Sequence, residues 1–181
     1  MSETILVAYA TKHGSTRDVA DVVAETLNEH GFDVETLPAA GVESLAPYSG
    51  VVLGGASYTG HLHPDAARFV KRHRDALARL PVAVFALGPR TMEDHDVAAS
   101  RAQLDKTLSK IPELEPVAVA VFGGVIDPDR LRFPFSRLPA SDARDWAAIR
   151  AFATDLAVLF SCGKAASGAR DPRSQLQQTP R

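Results

Sequence analysis

The fold of this chain is decided by the stretch Ile5-Leu-Val-Ala-Tyr-Ala-Thr-Lys-His-Gly-Ser-Thr16, near its amino terminus. Its first residues are apolar or aromatic and predict a short buried strand. The polar residues that follow predict a turn and the start of a helix. The first backbone N–H groups of a helix have no intrahelical acceptor, and the helix dipole adds a partial positive charge there. The stretch therefore predicts a site for an anion, and the ligand that we expect is a phosphate monoester.

Six residues of this turn are the candidates for contact with the phosphate: Thr11, Lys12, His13, Gly14, Ser15 and Thr16. Hydroxyl groups in the turn add donors, and Gly14 lets the backbone approach the ligand closely. Two other phosphate-binding patterns are absent from the sequence, because no G-x-G-x-x-G follows a predicted strand and no G-x-x-x-x-G-K-[ST] occurs. An ordinary strand-to-helix turn with a Ser or Thr cap is the alternative.

The same stretch resembles the phosphate loop of flavodoxin-like FMN proteins. That loop carries an aromatic residue followed at fixed spacings by a hydroxyl residue, a small residue, a Thr and an Ala. Those positions are filled here by Tyr9, Thr11, Gly14, Thr16 and Ala20. The resemblance implies that the cofactor is FMN and that the loop binds its phosphate.

Apolar runs alternate with helical patterns along the rest of the chain. The predicted strands are Thr4–Tyr9, Asp33–Leu37, Val51–Gly55, Val82–Leu87 and Val117–Phe122. The predicted helices are Thr16–Glu29, Pro64–Leu80, Val97–Leu108 and Ser141–Phe160, with a single turn around Val42–Leu45. This alternation predicts an α/β fold, a doubly wound five-stranded parallel sheet with helices on both faces. The resemblance implies the flavodoxin-like strand order 2-1-3-4-5, with the cofactor at the carboxyl ends of strands one and three.

One domain is expected over residues 1–160, and the composition of residues 161–181 predicts a disordered tail. The last helix is expected to begin with a cap at Ser141-Asp142. Its apolar stripe is expected to include Trp146 and Leu159.

The loop predicted after strand three is rich in small residues, which allow the backbone to lie against a planar ligand. Its candidate residues for the cofactor ring are Ala56, Ser57, Tyr58, Thr59 and Gly60. By resemblance, this is the flavodoxin loop that covers the flavin, with Tyr58 as the residue that stacks on the ring. A tyrosine packed half-buried in the loop is the alternative. A hydrolase elbow centred on Ser57 is excluded, because Thr59 stands where its second glycine is required.

The loop predicted after strand four supplies Gly88, Pro89 and Arg90 as further candidates. We expect Arg90 to stabilise the reduced, anionic flavin or a substrate carboxylate, and a solvated arginine is the alternative. The loop lacks the aromatic residue that long flavodoxins carry there. One face of the ring is therefore expected to be open to a substrate.

A long connection follows strand five and begins with Gly123 and Gly124, which are also candidates for the cofactor site. This region resembles that of the menaquinone-dependent protoporphyrinogen dehydrogenases, where a Gly-Gly pair leads into an insertion. An Asp-Trp pair then opens the last helix, as Asp145-Trp146 does here. The resemblance implies a protoporphyrinogen or quinone-linked dehydrogenase.

The insertion, residues 127–139, interleaves basic and apolar side chains, namely Arg130, Leu131, Arg132, Phe133, Phe135, Arg137 and Leu138. This pattern suits a membrane surface or an amphipathic anionic substrate such as a quinone or a porphyrin. Packing of the two phenylalanines on the last helix is the alternative.

Composition limits the remaining classes of function. A net charge of −2 gives no indication of nucleic acid as a partner, and one cysteine excludes an internal disulfide. His61 and His63 form an H-x-H without a supporting cluster, so no metal is predicted. The absence of a signal-like segment predicts a cytoplasmic protein, with peripheral membrane contact left open.

The function predicted from the sequence is that of an FMN-dependent oxidoreductase acting on a quinone or porphyrinogen. One alternative is a non-catalytic electron carrier that passes electrons to a partner protein, and another is a flavin-free binding module. No catalytic residue is assigned. The group Asp94, His95 and Asp96 is interpreted either as a proton-transfer group or as the charged start of a helix.

Overall fold

The computed structural model describes residues 4–58, 61–88, 93–112, 114–126 and 140–167. The strands are β1 Thr4–Ala10, β2 Asp33–Pro38, β3 Gly50–Tyr58, β4 His61–Leu62, β5 Val82–Leu87, β6 Ala118–Phe122, β7 Val125–Ile126 and β8 Ser141–Asp142. The helices are α1 Ser15–Glu29, α2 Pro64–Leu77, α3 Asp94–Leu108 and α4 Trp146–Ser167, with a 3-10 turn at Ala39–Gly41. No helix of the described ranges is long and apolar enough to cross a membrane.

The main sheet contains five parallel strands in the order β2-β1-β3-β5-β6. Numbered along the chain without the two-residue β4, this is the predicted order 2-1-3-4-5, so the predicted fold class is confirmed. The central strands are apolar because helices cover both faces of the sheet. All six residues of β5 are buried, as are Val51, Val52 and Leu53 of β3.

Two apolar layers hold the helices on the sheet. On one face α1 and α4 pack together, and their stripes consist of Val19, Ala20, Val23, Leu27, Ile149, Ala153 and Leu156, all without solvent exposure. On the other face lie α2, α3 and the link from β2 to β3, through Phe69, Val70, Leu77, Leu104, Val42 and Leu45. Helical periodicity in the sequence predicts a buried stripe on α1 of Val19, Ala20, Val23 and Leu27, and the structure confirms all four.

Gly54 lies at the centre of the sheet, under the ring of Phe85. A Cβ atom on Gly54 would lie 2.2 Å from Cζ of Phe85, so no side chain fits there. The Gly-rich stretch predicted as a loop therefore begins inside a strand, and β3 continues to Tyr58. It then turns back as a short hairpin, in which Ser57 and Tyr58 pair with Leu62 and His61 of β4.

The last helix differs from its prediction at both ends. Ser141 and Asp142 form β8 rather than a cap, and α4 begins at Trp146, where Oδ1 of Asp145 accepts from the N–H of Ala148 over 3.0 Å. At the other end α4 continues to Ser167, seven residues into the predicted tail, and residues 168–181 lie outside the described residues.

Two members of the predicted stripe of α4 are not buried. Trp146 and Leu159 each keep 39% of their surface exposed. Trp146 is exposed for a local reason, because it lies at the first turn of α4 and its ring stacks with the guanidinium group of Arg144.

Smaller corrections concern the other connections. The turn between β2 and β3 is at Ala39–Gly41 and not at Val42–Leu45, where two apolar side chains are buried without helical backbone. Helix α2 ends three residues before the predicted Leu80, and α3 begins three residues before the predicted Val97. The strand pair β7–β8 was not predicted. It joins Val125 to Asp142 and Ile126 to Ser141, on the two sides of the insertion.

Candidate functional site

The turn between β1 and α1 is held by its own backbone and by one side chain. Oγ1 of Thr11 accepts from the N–H of Gly14 over 2.9 Å, and Gly14 has a φ of 94°. L side chains rarely adopt that conformation, so glycine is required at this position. The carbonyl of Gly14 then accepts from the N–H groups of Arg17 and Asp18, over 3.1 and 3.3 Å, which starts the helix.

Thr16 is the most informative residue of this turn. Its side chain is fully buried, and its hydroxyl has no hydrogen-bond partner among the described residues. A buried hydroxyl without a partner costs about 1–3 kcal/mol. The hydroxyl lies in the first turn of α1, where backbone N–H groups also lack intrahelical acceptors. An anion seated on the turn would satisfy both kinds of group.

The other predicted phosphate contacts lie on the same turn. His13 and Ser15 are half-buried, and Lys12 is exposed. The structure thus brings all six candidates of the first loop together within one turn of backbone, as their spacing requires.

The remaining candidate segments meet at the same edge of the sheet. In the strand register Ala10 lies beside Gly55, Ala56 beside Leu87, and Leu87 beside Phe122. The loops that follow β1, β3, β5 and β6 therefore leave the sheet at a common edge. This is the carboxyl edge, where open parallel sheets bind their ligands.

The second and third candidate segments are described only in part. The structure places the backbone of Ala56, Ser57 and Tyr58 at the end of β3, and it places Gly88 directly after β5. Four candidates, Thr59, Gly60, Pro89 and Arg90, lie outside the described residues. The predicted stacking of Tyr58 also concerns a side chain outside the described part, so it stays a prediction.

Close packing accounts for glycine at two of the candidate positions, Gly123 and Gly88. A Cβ atom on Gly123 would lie 1.9 Å from the carbonyl oxygen of Ala143, because the chain that returns from the insertion crosses directly over it. Gly124 binds the same returning segment, since its carbonyl accepts from the N–H of Ala143 over 3.1 Å. A Cβ atom on Gly88 would lie 3.1 Å from Oγ of Ser100 in α3.

One cluster at this edge was not predicted. Arg144 binds both carboxylate oxygens of Asp142, over 2.8 and 2.6 Å, and its Nη1 binds Asp18 of α1 over 2.9 Å. Its guanidinium carbon lies 4.6 Å from the ring centroid of Trp146. The bond from Arg144 holds the pKa of Asp142 below its usual range, and the same bond raises the pKa of Arg144. No local pattern signals this cluster, because Asp18 and Arg144 are 126 positions apart.

Two of the histidines considered above, His63 and His95, have local roles in the structure. Nδ1 of His63 accepts from the N–H of Asp65 over 3.2 Å and caps α2. His95 is 85% exposed at the start of α3, 3.0 Å from Asp96, which agrees with the charged start of a helix. Within the described ranges, no group of three or more His, Cys, Asp or Glu residues is placed to hold a metal ion.

A groove of about 520 Å³ lies at the opposite edge of the sheet, between Glu43–Tyr48 and the second half of α2. Its most buried polar side chain is His73, whose Nε2 lies 3.2 Å from the carbonyl of Val42. This groove is separate from the turn at Thr16, and its lining carries both basic and acidic side chains, namely Arg72, Arg79, Glu43 and Asp75.

Comparison with known proteins agrees with this geometry. The flavodoxin domain family matches residues 6–137. A protoporphyrinogen IX dehydrogenase [quinone] of Leishmania major is 28% identical over 178 residues, which are 87% of this chain and 76% of that protein. The enzyme of the same name from Escherichia coli (strain K12) is 30% identical over 84 residues, 45% of this chain and 46% of its own length. The chain therefore matches less than half the length of this bacterial relative.

Solved structures share the fold at lower identity. A flavodoxin of Streptococcus pneumonia TIGR4 superposes with a TM-score of 0.55 at 18% identity, covering 86% of this chain and 99% of that one. Flavodoxin 1 of Bacillus cereus gives 0.55 at 17% identity, covering 84% and 95%. With the turn at Thr11–Thr16, the strand order and the family match in agreement, the chain belongs to the flavodoxin domain family.

Proposed function

We propose that this chain is an FMN-dependent oxidoreductase that oxidises protoporphyrinogen and uses a quinone as electron acceptor. The observation that carries the cofactor assignment is the buried hydroxyl of Thr16, which has no partner among the described residues. The substrate assignment is supported by the names of the related enzymes from Leishmania major and Escherichia coli.

The turn between β1 and α1 would hold the FMN phosphate. Oγ1 of Thr16 would donate to a phosphate oxygen, and the N–H groups of the first turn would add further donors. Gly14 is already in its left-handed conformation and bonded to Thr11, so the backbone of the turn is fixed before the anion arrives. Such preorganisation favours binding, since no ordering cost is added when the ligand arrives.

The carboxyl edge of the sheet would hold the ring. Strands β3 and β5 end at that edge. The flavin would be bordered there by Ala56–Gly60 and Gly88–Arg90, with Tyr58 stacking on the ring and Arg90 near its pyrimidine end. When bound, the flavin supplies the redox chemistry. The protein supplies binding, orientation and the electrostatic surroundings.

The insertion between β7 and β8 would contact the substrate. The described residues on its two sides are paired, Val125 with Asp142 and Ile126 with Ser141, so the chain before the insertion and the chain after it lie side by side. The sequence of this segment mixes arginines with phenylalanines, which suits an amphipathic anionic substrate or a membrane surface that holds the quinone.

The test is a comparison of two activities in the purified, flavin-loaded protein. The proposal predicts anaerobic oxidation of protoporphyrinogen IX that depends on an added menaquinone or ubiquinone analogue and on no other protein. Boiled protein and apoprotein without FMN are the controls. Electron transfer only in the presence of a reductase and a protein acceptor would instead establish an electron carrier, and a colourless protein that takes up no flavin would contradict both.

A further inference from the structure

The chain that returns from the insertion is fixed against the first turn of α1. It pairs with β7 through Ser141 and Asp142, and it crosses Gly123 so closely that no side chain fits between them. Arg144 completes this attachment by joining Asp142 to Asp18. Asp18 belongs to the turn that begins at Gly14, because its N–H donates to the carbonyl of Gly14.

Asp18 places a negative charge at the end of α1 where the phosphate would bind. The positive potential at a helix start favours one anion, and an acidic residue in the first turn already uses part of it. A phosphate seated beside that turn would also be repelled by the carboxylate of Asp18. This residue therefore opposes phosphate binding unless its charge is compensated.

Arg144 supplies a compensating charge. Its side chain is only 12% exposed, and its Nη1 lies 2.9 Å from Oδ2 of Asp18. The same guanidinium also binds Asp142, so the three side chains together carry one negative charge instead of two. Asp18 itself is 59% exposed, so only the Arg144 end of the pair is sheltered from solvent and salt.

We infer that Arg144 is a positioning residue for the phosphate site, which acts by compensating Asp18 at the first turn of α1. This inference rests on the proposed function, because it needs a phosphate on that turn. One purely structural role competes with this inference, in which Arg144 only clamps the returning chain to α1.

The two roles predict different orders of FMN affinity. If charge decides, Arg144→Met leaves two uncompensated carboxylates and weakens FMN by about two- to five-fold. Asp18→Asn removes the carboxylate beside the turn and keeps Arg144, so FMN binds as tightly as in the wild type or more tightly. The double variant, which combines Asp18→Asn with Arg144→Met, has the wild-type net charge at this cluster. Its affinity for FMN should lie within about two-fold of that of the wild type. If the residue is only a clamp, Arg144→Met and the double variant lose the clamp alike and should bind FMN equally poorly, although the double variant has the wild-type charge.

The chain offers a matched control in Arg150, which joins α4 to Glu25 of α1 over 3.1 Å. This pair has the same chemistry, but Glu25 lies two turns further along α1. Arg150→Met should therefore leave FMN affinity unchanged. Riboflavin is the control ligand, because it lacks the phosphate and its affinity should be the same in every variant.

The experiment is titration calorimetry of FMN and riboflavin into the apoprotein of each variant. The inference is supported if FMN binds at least as tightly to Asp18→Asn as to the wild type and the double variant, and least tightly to Arg144→Met. Riboflavin should show no such order. Equal losses in Arg144→Met and the double variant, or equal losses for riboflavin, overturn it. Should Arg144→Met fail to fold, Arg144→Lys keeps the charge without the two-oxygen geometry, and a loss of FMN affinity beyond about two-fold there also overturns it.

Failure of the inference can be told from failure of the proposed function. Equal affinity of the wild type for FMN and riboflavin means that no phosphate site exists, and the role of Arg144 falls with it. A wild type that prefers FMN, with variants that do not separate as described, leaves the phosphate site intact and removes only Arg144 from it.

Discussion

The backbone N–H of Gly14 donates to Oγ1 of Thr11 over 2.9 Å, and this bond closes the turn from which α1 begins. The bond lies within a segment of four residues, so the turn forms from local sequence alone. The hydroxyl of Thr16, which has no partner among the described residues, and the N–H groups of the first helical turn directly follow this bond in the chain.

Gly14→Ala should weaken FMN and also lower the free energy of unfolding. A side chain in the left-handed conformation costs about 1–2 kcal/mol, and it would also crowd the ligand. Gly31→Ala is the matched control, because Gly31 has a φ of 88° just beyond the other end of α1 and nothing within 4 Å of its Cβ direction. Denaturant unfolding should show similar losses for both variants. FMN titration should separate them, and an equal effect on FMN would remove Gly14 from the site.

Thr16→Val should have opposite effects on the apoprotein and on FMN binding. Valine has the shape of threonine and removes a buried hydroxyl without a described partner, so the apoprotein should be as stable as the wild type or more stable. FMN should bind about ten-fold more weakly, because a hydrogen bond to a charged group is lost. Both quantities are read from thermal melts with and without FMN.

Thr26→Val is the control for this variant. Thr26 is also buried in α1, but its hydroxyl donates to the carbonyl of Val22 over 2.9 Å. Its replacement should leave FMN affinity unchanged. A stabilised apoprotein that still binds FMN at full affinity after Thr16→Val would mean that the hydroxyl does not contact the phosphate.

Gly54→Ala should destabilise the domain by about 1–3 kcal/mol or more, because the new methyl group would overlap the ring of Phe85. Gly41→Ala is the control, since the nearest atom to its Cβ direction is Cγ of Pro38 at an ordinary 3.5 Å. Chemical denaturation measures the difference. Unchanged stability in Gly54→Ala would contradict the packing of Phe85 at the centre of the sheet.

The stabilising effect of Tyr48 should be lost at high pH. Burial and a hydrogen bond to Glu35 raise the pKa of Tyr48 to about 12, from the ordinary tyrosine value of 10.0. The folded chain therefore keeps this proton more tightly than the unfolded chain, so the contribution is complete below pH 10 and declines towards pH 12. The difference in unfolding free energy between the wild type and Tyr48→Phe should shrink over that interval. A constant difference would contradict the raised pKa.

The sequence predicts the features that depend on near neighbours. Apolar runs locate all five strands of the main sheet, and the stripe from Val19 to Leu27 predicts the buried face of α1 because helical periodicity is a local property. The turn at Thr11–Thr16 is predicted for the same reason.

Features that depend on distant pairings were missed. The extension of β3 to Tyr58 was hidden by its glycines, and Gly54 is explained only by Phe85, which lies on another strand. The cluster at Arg144 joins residues far apart in the chain, and it also explains why Trp146 stays partly exposed although its periodicity predicts burial.

Binding of the FMN phosphate by the turn at Gly14–Thr16 can be measured by calorimetric titration of the wild-type apoprotein with FMN and, separately, with riboflavin under the same conditions. FMN should bind at least about ten-fold more tightly, because the two ligands differ only in the phosphate that the turn would hold. Equal affinity for the two ligands would contradict it.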